Sequence, residues 1–200
     1  SGFSYAEILN LFRNADKISW AYGKTLDLTK EEDRIKYYNQ FSLLCGYVNW
    51  HLNVAAELRK ALADKLYGNV LDYGCGIATQ SLMANGQRGV NIDLYDIDTI
   101  TKGFLKFIIE KHNLKNIQFV NKFVFDKYDC IVCTDVLEHL AGPETILSLL
   151  KKCLKKYGKL FIRAPFNLAD DPSHIPNEKT IDELLFEVGV KKENYEVVNI

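Results

Sequence analysis

The sequence predicts an α/β fold in which a doubly wound, mostly parallel sheet follows an N-terminal helical extension. From residue 69 onward, short apolar runs alternate with segments of helical periodicity, which is the pattern of a parallel sheet with helices on both faces. The first 66 residues are poor in glycine and carry apolar side chains at helical spacing. With 200 residues, 48% of them hydrophobic, the chain is long enough for one well-filled core.

The extension, residues 1–66, is expected to form helices that cover the rest of the chain. Thr29 followed by Glu32 has the form of a capping box, which predicts one long helical stretch ending near Gly68. Aromatic residues in this segment could line a lid, although most aromatics at helical spacing belong to a core, so at most two are assigned to a site. The five candidates are Trp20, Tyr22, Tyr37, Tyr38 and Trp50.

Residues 67–200 are predicted to form the core, in which strands and helices alternate. The predicted strands are 70–72, 90–95, 117–120, 128–134, 159–163 and 195–200. The predicted helices are 79–85, 99–112, 144–156 and 181–187. Thr180 and Glu183 form a second capping-box pattern at the start of the last helix. A run of lysines predicts the solvent-exposed face and the C-terminal end of the helix over 144–156: Lys151, Lys152, Lys155 and Lys156.

A glycine loop follows the first predicted strand, in the segment Leu-Asp-Tyr-Gly-Cys-Gly-Ile-Ala that ends at Ala78. Gly74 and Gly76 allow a ligand to lie against bare backbone, and the amides of the next helix offer donors to an anionic group. Asp72 favours a ligand that also carries a cation. A dinucleotide fingerprint needs a small residue where Thr79 stands, so a nicotinamide-dependent oxidoreductase is disfavoured. A purely structural turn is the alternative.

Polar residues are predicted at four neighbouring strand ends, where ligands bind in an open parallel sheet. They are Asp72, Asp96, Asn121, Thr134 and Asp135. An acid about 20 residues after a glycine loop is the usual acceptor of ribose hydroxyl groups.

Asp96 lies 22 residues after Gly74, and Asp93, at 19 residues, is its rival. Asp96 is preferred because Ile97 then supplies an apolar wall for the base and Asp98 caps the next helix.

These motifs, in this order, resemble the class I S-adenosylmethionine (SAM)-dependent methyltransferases. Their first motif is Asp/Glu-x-Gly-x-Gly-x-Gly, with Ala78 replacing the last glycine here. Residues 128–140 and 158–166 resemble the fourth and fifth strand regions of the small-molecule methyltransferases called type 11 and type 12, and the resemblance covers residues 69–189.

The resemblance implies a Rossmann-like core that binds SAM. The residues that would hold the cofactor are Asp72, Gly74, Cys75, Gly76, Asp96, Ile97, Asn121, Thr134 and Asp135. The chain departs from the family in two places. The acid that usually contacts adenine after the third strand is missing, where Asn121 could supply an amide. The antiparallel strand that usually closes the sheet is expected to be absent or replaced.

Two histidines are candidate catalytic bases, because imidazole titrates near neutral pH. His139 follows the fourth strand, and His174 lies between Pro172 and Pro176 in the loop after the fifth. Both could instead be structural. His51 and His112 are expected on helices away from the strand ends.

A metal is not predicted, although one resemblance points to it. Asp135, Glu138 and His139 resemble a Glu-x-x-Glu-His arrangement at which some ubiquinone-pathway O-methyltransferases are thought to hold a divalent cation. The same residues occur in relatives without that role.

Composition limits the partners. With 25 basic and 26 acidic residues the net charge is −1, which disfavours nucleic acid and anionic membranes as partners. Five cysteines, an odd number without framework spacing, fit reduced thiols. Cys130 and Cys133 should face opposite sides of a strand, which excludes a shared metal. The chain has no apolar stretch or leader pattern typical of membrane or secreted proteins, so a cytoplasmic location is expected.

The sequence therefore predicts an enzyme that transfers a methyl group from SAM to an oxygen, nitrogen or carbon of a small biosynthetic metabolite. The alternative is a catalytically inactive SAM-binding subunit that serves a partner protein. The acceptor and the oligomeric state are left open.

Overall fold

A six-stranded sheet lies at the centre of the computed structural model, which describes residues 4–166 and 171–198. The strands are β1 Asn69–Tyr73, β2 Asn91–Tyr95, β3 Ile117–Phe119, β4 Tyr128–Thr134, β5 Leu154–Arg163 and β6 Tyr195–Val197. Their order is β3-β2-β1-β4-β5-β6, and each recorded pairing is parallel. The predicted fold class is thereby confirmed. Among the described residues no antiparallel strand closes this sheet.

The order reverses between β1 and β4, because the chain first moves outward to β2 and β3 and then crosses back. The carboxyl ends of β1, β2 and β4 therefore meet at a topological switch point, where α/β sheets bind ligands. The last predicted strand is shorter than expected, and residues 199 and 200 lie outside the described part of the chain.

Eight α-helices flank the sheet or precede it in the described chain. They are α1 Tyr5–Gly23, α2 Glu31–Tyr38, α3 Phe41–Asn49, α4 Ala56–Ala63, α5 Thr79–Met83, α6 Ile100–Lys111, α7 Pro143–Cys153 and α8 Ile181–Glu187. The predicted capping box at Thr180 is confirmed, since its hydroxyl accepts from the Glu183 amide and the Glu183 carboxylate accepts from the Thr180 amide. None of the helices in the described ranges is long and apolar enough to cross a membrane.

Two apolar layers cover the two faces of the sheet, and β4 contributes to both. Cys130 and Val132 pack with residues of α4, α5 and α6, whereas Ile131 and Cys133 pack with residues of α7 and α8. This alternation confirms that the two cysteines of the Cys-x-x-Cys face opposite layers.

The long N-terminal helix predicted from residue 29 is wrong. Lys30 occupies the cap of α2, and the Thr29 hydroxyl donates to Asp27 Oδ1 at 2.6 Å instead of capping the helix. The chain leaves helical geometry again at Asn39, and a π-helical turn, Trp50–Val54, separates α3 from α4. Three short helices therefore replace one, and the segment bends over the strand ends.

The C-terminal end of α7 also differs from the prediction. The backbone becomes extended at Leu154, which pairs with Tyr128 as the first residue of β5. Lys155 then forms an ion pair with Asp129 of β4 at 2.9 Å. Lys155 and Lys156 are thus strand residues, because the ladder to β4 and this ion pair replace further helical turns.

Candidate functional site

The glycine loop between β1 and α5 has the backbone geometry that its sequence predicts. Gly74 and Gly76 have φ values of 67° and 53°, and Ala78 also lies in the left-handed region, with φ of 50°. The amides of Gly74 and Cys75 donate to the Tyr95 carbonyl oxygen at 2.8 and 3.2 Å, which fastens the loop to β2. A Cβ added at Gly76 would meet no atom within 4 Å, so this part of the loop borders open space.

Replacing Gly74 with alanine is expected to destabilise the protein by about 3 kcal/mol, because the left-handed backbone and a steric clash add together. The new Cβ would lie 2.4 Å from Val136 Cγ2. Gly76→Ala is the matched control, with a similar φ and no clash, and should cost about 1 kcal/mol. Urea denaturation measures both. Equal losses in the two variants would contradict the close packing of Gly74 against Val136.

Asp72 lies buried beneath the loop, 1% exposed. Gln80 Nε2 donates to both of its carboxylate oxygens at 3.0 and 2.9 Å, and the Ser81 hydroxyl donates to one of them. Burial raises the pKa of this carboxyl to about 6, although these donors and Arg59 favour its charged form. Asp72 therefore fixes the start of α5 under the loop.

Asp96 follows β2 and holds the loop from the other side. Its carboxylate accepts from the Gly76 amide at 2.6 Å and from the Ile97 amide at 2.7 Å. Burial raises its pKa above the usual value. The Ile97 side chain next to it is 43% exposed, as an apolar wall of a binding crevice would be.

Asp93, the rival of Asp96, lies within β2 and is 5% exposed. Burial opposes its ionisation, but donors on Lys127, Gln118 and Tyr128 hold its pKa below the usual value. Asp93 is therefore engaged by side chains inside the protein, which favours Asp96 as the acid that would accept hydrogen bonds from ribose hydroxyls.

The helix after β2 begins differently from the prediction. Thr99, not Asp98, is the cap of α6, and Asp98 instead lies 3.7 Å from Lys102.

Asn121 is exposed, two residues beyond the end of β3. The ring of Phe123 packs on Tyr95 with a centroid distance of 4.6 Å, which brings the loop after β3 against the end of β2.

Thr134 and Asp135 at the end of β4 are held by two arginines. Arg59 of α4 donates to Thr134 Oγ1 at 2.7 Å and to Asp135 Oδ2 at 2.8 Å, and Arg163 at the end of β5 donates to the other oxygen of Asp135. Asp135 is predicted as a cofactor contact and resembles a metal ligand, yet in the structure both of its oxygens are engaged by guanidinium groups. The carboxylate is therefore held by two charge-assisted contacts, from the buried Arg59 and the partly buried Arg163.

His51 is not remote from the strand ends, contrary to the prediction. It lies in the π-helical turn, is 9% exposed, and its Nδ1 shares a hydrogen bond of 2.9 Å with the hydroxyl of Thr79, the first residue of α5. Burial lowers its pKa to about 3, so the ring is neutral at ordinary pH. The bend of the N-terminal segment brings it there. His112, by contrast, is exposed at the end of α6.

His139 and His174 lie side by side, with ring centroids 4.8 Å apart. His139 Nδ1 donates to the Ser173 carbonyl oxygen at 3.0 Å, so Nε2 is left as the unprotonated nitrogen. Burial lowers the pKa of His139 to about 4. His174 Nε2 lies 3.7 Å from the Asp171 carboxylate, and burial lowers its pKa as well. Both rings are therefore neutral at physiological pH.

Glu138 is buried beside the two histidines, 1% exposed, and its Oε2 has no partner among the described residues. One ligand atom from each of Glu138, His139 and His174 falls within 4.8 Å of the others. Carboxylate and imidazole groups at such distances could hold a divalent ion. The sequence resemblance named Asp135, Glu138 and His139 as such a group, whereas the structure places His174, not Asp135, beside the other two.

Replacing Glu138 with glutamine is expected to remove a loss of stability that the wild type shows at alkaline pH. Burial raises the pKa of Glu138 to about 8, whereas in the unfolded chain it is near 4.5. The unfolded chain thus binds fewer protons between these values, and folding stability falls as pH rises. Between pH 6.5 and 8 the wild type should lose about 2 kcal/mol relative to Glu138→Gln, and the contribution of the buried histidines cancels because both proteins contain them.

Urea denaturation at these two pH values measures the effect. Glu138→Gln should be the more stable protein at pH 8, and its advantage over the wild type should be about 2 kcal/mol larger at pH 8 than at pH 6.5. Glu110→Gln, at an exposed glutamate of α6, is the control and should follow the wild type. A Glu138→Gln variant with the wild-type slope would contradict a protonated, buried Glu138.

Sequence reasoning missed Arg59 and Tyr47. Arg59 is 2% exposed, and its spacing from Leu62, Ala63 and Leu66 is that of one buried helix face. A single arginine among apolar residues on such a face is the sequence feature that could have indicated its role. Burial raises the pKa of Tyr47 of α3, and the negative charges of Asp96 and Asp171 raise it further. Tyr38 of α2 packs edge-on against His139 with centroids 6.1 Å apart. Of the five aromatic candidates, Tyr38 reaches the histidine pair.

Comparison with curated proteins finds ubiquinone biosynthesis O-methyltransferases. The enzyme of Vibrio atlanticus is 28% identical over 123 residues, which are 55% of this chain and 47% of that protein. The chain thus spans about half the length of the curated relatives that it matches.

Two solved structures share the fold. An O-methyltransferase family protein from Burkholderia thailandensis has a TM-score of 0.67 and 13% identity, over 96% of this chain and 69% of that one. Phosphoethanolamine N-methyltransferase 2 of Haemonchus contortus, in complex with SAM, has a TM-score of 0.62 and 17% identity, over 82% of this chain and 44% of that one.

A family model described as a methyltransferase domain matches residues 48–188, which include the glycine loop, Asp96, both histidines and Arg59. This match covers most of the chain, and it confirms the resemblance on which the sequence prediction rests. The chain belongs to the methyltransferase domain family, with a core of the class I SAM-dependent type.

Proposed function

We propose that the protein is a methyltransferase that transfers the methyl group of SAM to a hydroxyl oxygen of a small biosynthetic metabolite. The observation that carries this proposal is the pairing of a glycine loop braced by Asp96 with a neutral His139 whose Nε2 is free to accept a proton. The names of the curated relatives, which are O-methyltransferases, favour oxygen over nitrogen and carbon as the acceptor atom.

The cofactor side is assigned to the loop and its two acids. Gly74, Cys75 and Gly76 would offer bare backbone, Asp96 would accept the ribose hydroxyls, and Ile97 would contact the adenine. Asp72 would act through Gln80 and Ser81 by fixing the start of α5. The same crevice would be bordered by Asn121, Thr134 and Asp135. Of these, Thr134 and Asp135 accept hydrogen bonds from Arg59. Bound SAM supplies a methyl group on a sulfonium, which is an electrophile for in-line displacement.

The acceptor side is assigned to the two histidines. A hydroxyl group becomes a better nucleophile when a base takes its proton during attack. Nε2 of His139 would take that proton, because Nδ1–H is fixed by the Ser173 carbonyl and this bond orients the ring. His174 and Tyr38 would hold the ring in place from two sides.

The N-terminal residues 1–66 are proposed as a lid over the core of residues 67–200. In the described part of this segment, His51, Arg59 and Tyr38 contact residues near the strand ends. A lid at this place would exclude water from the reaction. This arrangement supports a small-molecule acceptor enclosed between lid and sheet.

Incubation of the protein with SAM and a panel of phenols, alcohols, amines and carbon acids tests the proposal. We expect S-adenosylhomocysteine and an O-methylated product from at least one hydroxyl acceptor. N- or C-methylated products alone would contradict oxygen as the acceptor. SAM binding without turnover of any acceptor would support the alternative, a non-catalytic SAM-binding subunit.

A further inference from the structure

Arg59 joins three elements of the site through one guanidinium group. Its Nη1 donates to Gln80 Oε1 of α5 at 3.3 Å and to Thr134 Oγ1 of β4 at 2.7 Å. Its Nη2 donates to Asp135 Oδ2 at 2.8 Å. A planar fork of five donors can make such divergent contacts, whereas a lysine ammonium cannot.

Gln80 extends this network to the glycine loop. The amide nitrogen of Gln80 donates to both oxygens of Asp72, while its amide oxygen accepts from Arg59. The side chain can be oriented in only one way to do both, since its amide has one donor end and one acceptor end. Arg59 therefore sets the orientation of Gln80, and Gln80 holds Asp72 under the loop.

On the other side, Arg59 stabilises an unusual backbone. Asp135 has φ of 59°, a left-handed conformation that costs a non-glycine residue about 1 kcal/mol. Its carboxylate is held by Arg59 and Arg163, and its amide donates to the Arg163 carbonyl at 2.9 Å. This turn leads into the short 3-10 helix Leu137–His139, which carries the proposed base.

We propose that Arg59 is a positioning residue that clamps the cofactor loop to the end of β4 and so sets the affinity for SAM. This inference rests on the proposed function for its ligand. It assigns to the N-terminal segment a role in cofactor binding besides covering the site. The proposal is supported by the burial of Arg59 and by its contacts with α5 and with the end of β4.

Titration calorimetry with S-adenosylhomocysteine, on wild type, Arg59→Lys and Arg59→Met, tests the clamp. We expect affinity to fall about 10-fold in the lysine variant, which keeps the charge, and about 100-fold in the methionine variant. Arg88→Met, at an exposed position, is the control and should bind as the wild type does. Asp135→Asn should weaken binding in the wild type but add little in Arg59→Lys, because the two residues act as a unit.

The pH profile of affinity separates a clamp from mere packing. The charges that face Asp72 are Arg59 from α4 and Asp96 after β2, and Gln80 and Ser81 donate to it from α5. In this proposal Asp72 must be ionised to hold the loop, so affinity should fall as the pH drops through the pKa of Asp72. Loss of the Arg59 charge raises this pKa, so the fall should begin about one pH unit higher in Arg59→Met and should stay in place in Arg59→Lys.

Each result decides a different claim. A folded Arg59→Lys protein with wild-type affinity, or a folded Arg59→Met protein with wild-type affinity or an unmoved pH dependence, would overturn the clamp. If Arg59→Met does not fold, the lysine variant and its cycle with Asp135→Asn give the answer. A wild-type protein that binds neither SAM nor S-adenosylhomocysteine would instead overturn the proposed function.

Discussion

Replacing Asp96 with alanine is expected to weaken SAM binding by about 100-fold, or about 3 kcal/mol. The carboxylate would accept hydrogen bonds from the ribose hydroxyls, and it also holds the amide of Gly76, so its loss removes a ligand contact and loosens the loop. Titration calorimetry with SAM measures the change.

Asp93→Asn is the control for this experiment. Because Asp93 contacts Lys127, Gln118 and Tyr128, the substitution should lower the free energy of unfolding and leave SAM affinity nearly unchanged. Unchanged affinity in Asp96→Ala, together with a large loss in Asp93→Asn, would move the ribose contact to Asp93.

Replacing His139 with alanine is expected to lower kcat by about 1000-fold, the usual contribution of a positioned base. SAM affinity should change less than about twofold, since the ring lies on the acceptor side. Single-turnover formation of S-adenosylhomocysteine, with a hydroxyl acceptor that the wild type methylates, measures the chemical step.

His112→Ala, at the exposed end of α6, should react as the wild type does. His174→Ala should lose less activity than His139→Ala, because the proposed role of His174 is only to support the His139 ring. An unchanged rate in His139→Ala would contradict its role as the base, and a larger loss in His174→Ala would transfer that role to His174.

The sheet could be predicted from sequence because its signals are local. Apolar runs such as 128–134 and the glycine loop before α5 define strand ends within a few residues, and parallel topology then places those ends at one edge. The same reasoning predicts that Asp72, Asp96, Thr134 and Asp135 lie near one another at the carboxyl ends of β1, β2 and β4.

The N-terminal segment was harder to predict, because its structure depends on contacts distant in sequence. Asp27 takes the hydroxyl of Thr29, so the capping-box pattern fails, and the π-helical turn brings His51 to Thr79. The pairing of Arg59 with Asp135 spans 76 positions in the sequence, and no local pattern reports it.

Calorimetric titration of the wild-type protein with SAM, S-adenosylhomocysteine and NAD tests the claim that the glycine loop binds SAM. We expect one molecule of SAM or S-adenosylhomocysteine to bind per chain, with no heat from NAD. Tight binding of NAD without binding of SAM would contradict the claim, because the loop around Gly74 and Gly76 would then serve a dinucleotide.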